Sequence, residues 1–211
     1  MNDLTLYVDS KFTSPFAMSV FVALKEKSLP FEISTVDLYA GEQHKADYAK
    51  LSVTQRVPTL VHGDFKLSES SAITEYLEEV FPAPSYPQVY PGNIRERAKA
   101  RQVQAWLRSD FLPIREERST ETIFIKRADK PLSKEAQVSA AKLFAGLDRL
   151  IKDGALNLFN EWCVADTDLA LMLNRLLANG HEVPPRLAAY ARHQWQRKSV
   201  QEWIGQKRPN K

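Results

Sequence analysis

Val57-Pro58-Thr59-Leu60-Val61-His62-Gly63-Asp64-Phe65-Lys66-Leu67-Ser68-Glu69-Ser70-Ser71-Ala72-Ile73-Thr74-Glu75-Tyr76 is the stretch on which the fold turns. It reads as a short strand, a Gly63-Asp64 turn, a second strand and a helix. Glycine between two runs of alternating apolar residues supplies the positive φ that a tight hairpin needs. Ile73, Tyr76, Leu77 and Val80 recur at i, i+3, i+4 and i+7, which predicts an apolar stripe along a helix. Two details exceed what folding asks. Pro58 sits just ahead of a strand without a ladder donor, and an X-Pro bond is where the cis form is accessible. Ser70 and Ser71 open a helix directly after Glu69, and the free N–H groups of a helix start suit a carboxylate. Each also has a plainer reading, Ser70 as an N-cap and Pro58 as a trans edge proline.

Upstream, Leu4 to Val8 alternates like a strand. A loop from Asp9 to Thr13 leads to a helix start at Ser14-Pro15, serine as N-cap and proline in the first turn. Phe16, Val20, Ala23 and Leu24 form the expected buried face. Phe31 to Val36 is a second strand, and Gly41 to Lys50 a loop with a short helix. The order βαβαββα fits a thioredoxin-like α+β domain over residues 1–82.

Phe81-Pro82-Ala83-Pro84-Ser85-Tyr86-Pro87, stiffened by three prolines, leads out of the first domain, and 83–93 is the expected linker. The rest, 94–211, shows no strand pattern and predicts an all-α domain. Its expected helices are one long helix from Arg95 to Arg118 kinked at Pro113, a second from Ser133 to Lys152 with Val138 on its apolar face, and a third from Asp166 to Leu177. A short helix from Pro184-Pro185 and a last one from Tyr190 to Trp203 follow. Ser119 to Leu132 is the longest irregular piece.

Composition bounds the function. The 211 residues, 44% hydrophobic and 26% charged, suit a soluble globular chain with room for a core. The start shows no secretory pattern, no run approaches a membrane span, and the single Cys163 excludes an internal disulfide, so a cytoplasmic setting is expected. Residues 1–82 carry seven Lys/Arg against twelve Asp/Glu, and residues 83–211 carry twenty-two against fourteen. That sign change supports two domains. The basic half mixes its charges with acids and has no nucleic-acid motif, so it reads as a solvated helical surface. His62, His181 and His193 have no ligand spacing, and no metal site is expected.

Ser14 and Ala17 stand where a redox member of such a fold carries Cys-x-x-Cys, so dithiol exchange has no chemical basis there. What remains is a hydroxyl at a helix N-terminus. It lacks an evident base of its own, but it can donate to another molecule's thiolate and, with the helix dipole, favour the anion. Tyr7, within the first strand, is the rival hydroxyl.

Val57-Pro58, Glu69-Ser70 and Ser14-Pro15, with the helix at Asp166, resemble the glutathione transferase family, over nearly the whole chain. The resemblance implies a serine-type, theta- or zeta-like enzyme with Ser14 catalytic. Val57 before a cis Pro58 would meet the cysteinyl part of glutathione, and Glu69 and Ser70 its γ-glutamyl end. Gln43 and Arg56 would meet the glycyl carboxylate. Relatives carry Asn-Pro-x-Gly where this chain has Ser52-Val53-Thr54-Gln55, a departure in the local loop. Gln104 to Asp110, Ile114 to Arg118 and Glu161-Trp162-Cys163 look like the bacterial YfcF branch, which implies glutathione transfer and glutathione-dependent peroxide reduction by a homodimer. A second-substrate pocket between the domains would draw on Trp106, Ser109, Asp110 and Arg115 for a hydrophobic electrophile or peroxide. Relatives also start a buried helix with Ser/Thr-x-x-Asp, for which this chain has Cys163-Val164-Ala165-Asp166, implying a buried structural cysteine. The alternative is a non-catalytic interaction or ligand-binding module of the same fold.

Overall fold

The structure, a computed structural model, describes residues 3–208. Contacts divide it into two units: residues up to Val89 together with those from Ser199 onward, and Tyr90 to Lys198.

The first unit contains β1 (Leu4–Asp9), α1 (Pro15–Glu26), β2 (Glu32–Val36), a 3-10 turn (Glu42–His44), α2 (Ala46–Ala49), β3 (Thr59–His62), β4 (Phe65–Ser68) and α3 (Ser70–Val80). The four strands form one mixed sheet in the order β2-β1-β3-β4. β1 and β2 are parallel, with Leu6 beside Ile33, and β3 is antiparallel to β1 and to β4. Gly63-Asp64 is the hairpin turn, His62 pairing with Phe65 and Gly63 taking φ 60°, a value that glycine adopts without strain. Helix α1 buries every residue from Ala17 to Leu24, while Phe16 stays half-buried. On α3 the stripe holds at Ile73 and Leu77 and fails at Val80, which is 42% exposed. Thr74 and Glu78 are buried in its place.

Glu78 is buried because it has a partner. Lys27 Nζ lies 2.8 Å from its carboxylate and also donates to the carbonyls of Phe81 and Pro87. The same carboxylate accepts from Val89 N–H. All three ammonium protons are used, as a buried lysine requires, and the proline-rich connection is thereby pinned to α1 and α3.

The second unit contains α4 (Ile94–Ser109), α5 (Leu112–Glu117), α6 (Glu121–Phe124), α7 (Lys134–Leu150), α8 (Val164–Leu177) and α9 (Pro185–Trp195). The expected long helix is two helices, and the break precedes Pro113. Phe111 adopts φ 60°, ψ 27°, its N–H donates to its neighbour's carboxylate, Asp110 Oδ1, at 2.9 Å, and Pro113 sits harmlessly in the first turn of α5. On α7 the buried positions are Ala136, Ala140, Leu143 and Leu147, and Val138 is 69% exposed. The segment expected to be irregular contains α6. Helix α8 starts at Val164, two residues early, because Cys163 is its cap.

The chain end also departs from expectation. α9 runs through Tyr190 to Trp195, and α10 (Lys198–Ile204) follows separately. From Ser199 it packs within the first unit rather than with 94–198. Trp203, fully buried, meets Phe12 and Phe21 at ring distances of 5.4 and 5.3 Å. Ser199 Oγ donates to Glu26 at 2.5 Å.

Candidate functional site

A cleft of about 600 Å³ in the first unit is lined by Ser14, Gln43, His44, Gln55, Arg56 and Val57, among others. Ser14 reaches it because the end of β1 is locked. Asp9, 4% exposed, accepts from Thr13 N–H at 2.7 Å, Thr13 Oγ1 at 2.9 Å and Ser14 N–H at 2.9 Å. Three bonds on one carboxylate fix the loop that carries the serine. Sequence reading passed over Asp9 as a loop residue. An aspartate at a strand end, four and five residues ahead of a Thr-Ser-Pro helix start, is the signal that would have found it.

Ser14 caps α1: its Oγ accepts from Ala17 N–H at 3.2 Å. A hydroxyl has one proton and two lone pairs. The cap uses a lone pair and polarises the group, and no acceptor for its proton is present among the described residues. The hydroxyl can therefore donate outward, at the positive end of a helix.

The loop opposite is built on hydroxyls. Tyr48, Ser52 and Thr59 all donate to the carbonyl of Arg56, at 2.9, 3.2 and 3.2 Å, and Ser68 joins through Ser52 at 2.9 Å. Burial, the largest cause, pushes the Tyr48 phenol up, so it is a neutral donor. This network leads into Val57-Pro58, whose peptide bond is cis. No backbone hydrogen bond among the described residues uses Val57 N–H or C=O. Ser52-Val53-Thr54-Gln55 forms a turn: Gln55 takes φ 52° and its N–H donates to Ser52 O. A left-handed non-glycine costs about 1 kcal/mol, and its side chain in return meets His44 at 3.0 Å.

Gln43 lines the cleft with its Oε1 buried and without a hydrogen-bond partner. The two ends of an amide exchange by a flip, so this arm suits a ligand N–H or a carboxylate. Arg56 is exposed at the rim. Glu69 and Ser70 are placed by the sheet. The β3–β4 pairing ends at Thr59 and Ser68, so Glu69 and Ser70 follow the last paired residue of β4 just as the cis Pro58 precedes the first of β3. Glu69 has φ 72°, ψ 114°, a strained conformation worth about 1–3 kcal/mol, and its side chain is exposed while Ser70 is buried at the start of α3.

Tyr7 packs instead against the cluster of Val36, Tyr48 and Val57, its ring edge-on to Tyr48 at 5.9 Å, and it does not line the cleft. In the second unit Trp106 and Asp110 are engaged with each other. Trp106 Nε1 donates to Asp110 at 3.1 Å, its ring lies against Gly146, where a Cβ would stand 2.4 Å away, and Asp110 also holds Lys142. Ser109 is exposed and Arg115 half-buried. Cys163 is fully buried. No group of three His, Cys, Asp or Glu that could hold a metal occurs among the described residues, and no helix there is long and apolar enough to cross a membrane.

Comparison with known proteins supplies the affiliation. The family profile described as glutathione S-transferase, C-terminal domain, matches residues 93–208, and the glutathione S-transferase N-terminal domain matches residues 13–80. Glutathione S-transferase theta-3 of Mus musculus is 34% identical over 103 residues, 49% of this chain and 41% of that protein, so the chain spans about two fifths of that relative's length. A probable maleylacetoacetate isomerase of Vibrio cholerae is 31% identical over 170 residues, 79% of this chain and 75% of that protein. The crystal structure of a glutathione transferase homolog from Burkholderia, with bound glutathione, is 50% identical with a TM-score of 0.80, covering 96% of each chain. With family matches over both halves and a relative aligned along most of both sequences, the chain belongs to the glutathione transferase family.

Proposed function

We propose that the protein is a serine-type glutathione transferase of the YfcF-like branch, in which Ser14 turns the thiol of bound glutathione into a nucleophile. The single observation that carries the reading is the Ser14 hydroxyl. Its acceptor side is taken by Ala17 N–H, and it lines the cleft it shares with Val57 and Gln43. Donation from that hydroxyl favours the thiolate over the thiol, and the thiol proton passes to solvent. A free thiol titrates near ~8.5, and a charge-assisted bond plus a helix N-terminus lowers this by roughly one to two units. The bound tripeptide is then largely anionic at neutral pH.

Val57 offers its unused backbone N–H and C=O to the cysteinyl portion, Glu69 and Ser70 hold the γ-glutamyl end, and Gln43 and Arg56 hold the glycyl carboxylate. The thiolate attacks an electrophilic carbon and expels its leaving group. With a peroxide it attacks oxygen, forming the glutathione sulfenic acid as the O–O bond breaks and the leaving alkoxide or hydroxide takes a proton, and a second glutathione thiol then displaces water to give the disulfide. Trp106, Ser109, Asp110 and Arg115 belong to the second-substrate side of this reading, and a cytoplasmic homodimer is its setting.

The test is a panel of halo-aromatics and organic hydroperoxides assayed with glutathione, alongside retention on immobilised glutathione. Wild type is expected to be retained and to turn over at least one class, and Ser14→Ala to be retained but nearly inactive. Full activity in Ser14→Ala would reduce the serine to a helix cap. Failure of the wild type to be retained would favour the non-catalytic module instead.

A further inference from the structure

The loop that carries Ser14 is held from two sides, and only one of them is local. Asp9 grips it through Thr13 N–H and Ser14 N–H. The second grip comes from 196 residues further along the chain, where Arg208 Nη2 donates to the carbonyl of Phe12 at 3.1 Å. Arg208 is itself fixed. Its Nη1 donates to the carbonyls of Ile204 and Gln206 at 2.6 and 3.1 Å, and its Nη2 reaches Trp203 O at 3.3 Å. The guanidinium thus closes the last turn of α10, as a basic group at a helix C-terminus does, and joins that turn to the loop.

Phe12 needs this hold. It takes φ 51°, a left-handed conformation that costs a non-glycine residue about 1 kcal/mol. Its ring is buried edge-on to Trp203, its N–H donates to Asp9 O at 3.0 Å, and its carbonyl is the atom that Arg208 takes. Ser14 follows two residues later. A hydrogen bond weakens steeply as it bends, so a loop free to relax at Phe12 lets the Ser14 hydroxyl swing off a thiolate without closing the cleft. Burial lowers the Arg208 titration and the Asp9 carboxylate opposes that, so the two groups that grip the loop also sense each other's charge.

We propose that Arg208 is a positioning residue for Ser14, acting through the Phe12 carbonyl, which makes the segment after α10 part of the thiol-activating site. This role rests on Ser14 activating the thiol of glutathione as described above.

The experiment follows the thiolate absorbance of bound glutathione against pH, with kcat and KM, in wild type, Ser14→Ala, Arg208→Gln, the double variant of these two, and Glu202→Gln. Arg208→Gln is expected to be retained on immobilised glutathione with KM unchanged, which shows the fold and the binding contacts intact. Its bound thiol is expected to titrate about half a unit higher, a loss of about threefold in thiolate on the acid side of the titration, with kcat falling alike. In the Ser14→Ala background the same substitution is expected to add nothing, the signature of two residues acting through one contact. Glu202→Gln removes the exposed ion pair that also ties α10 to α1, Lys25 to Glu202 at 2.9 Å, and is expected to leave the titration where it is. The proposal is overturned if Ser14→Ala moves the thiol and Arg208→Gln does not. It is also overturned if Arg208→Gln acts equally without Ser14, which would make it a bare charge effect, or if Glu202→Gln shifts the thiol as much. A thiol that Ser14→Ala leaves unmoved would instead sink the Ser14 reading, and this role with it.

Discussion

Ser14 and Cys163 occupy the same local position, the residue before a helix, and their surroundings make opposite things of it. Ser14 caps α1 with its own oxygen and lines a cleft. Cys163 precedes α8 at zero exposure, and its N–H is held by Asp166 at 2.9 Å. That carboxylate also accepts from Leu158 N–H at 2.7 Å and from Tyr190 Oη at 2.6 Å. Burial first, and then the Asp166 charge, push the Cys163 thiol well up, so the one cysteine of the chain is held as an inert thiol. A helix start is chemically useful only when something outside the helix can reach it. The chain seals its reactive-looking atom and exposes its modest one.

The largest expected effect lies on the sealed side. Asp166→Ala strands three buried donors and is expected to cost about 3–5 kcal/mol, read as a drop in the denaturation midpoint. Next comes the open side: Ser14→Ala is expected to lower turnover about a hundredfold, in the range found for loss of one donor to a developing anion, while costing only about 1 kcal/mol as a lost cap. A comparable stability loss from both substitutions would break the contrast. Cys163→Ser is expected to keep full turnover with a stability change of about 1 kcal/mol, and the native thiol to react with a disulfide reagent only on unfolding. The smallest effect concerns Asp110, held below its ordinary value by Lys142 first and then by Phe111 N–H. A carboxyl depressed on folding adds stability that is present above its unfolded value and is lost as pH falls through the folded one. Melting temperature is therefore expected to fall more steeply below about pH 4 in wild type than in Asp110→Asn.

The hairpin and the helix starts were legible because their signals are local. Gly63-Asp64, Ser14-Pro15 and Pro58 act through their own backbone preferences. The break before α5 was not, because Phe111 is left-handed through the grip of Asp110 and not through any residue type that favours it; the eye goes to Pro113 instead. Val80 and Val138 obey helical spacing and still face outward, since periodicity marks a stripe without saying how far its cover extends. α10 joined the first unit through Trp203 against Phe12 and Phe21, contacts across more than half the chain. The candidate site divides the same way. Ser14, Val57, Gln43 and Arg56 were nameable from motifs and do share one cleft; Asp9 has a local signal in the Thr-Ser-Pro start that follows it, whereas the hydroxyls on the Arg56 carbonyl emerged only from three-dimensional pairing.

The central claim is that the protein sharpens a borrowed sulfur rather than using its own. The most direct measurement is the thiolate absorbance of glutathione bound to wild type and to Ser14→Ala, followed against pH. The account predicts a bound thiol titrating roughly one to two units below the free value of ~8.5 in wild type, with most of that shift gone in Ser14→Ala. The same titration in both proteins would contradict it.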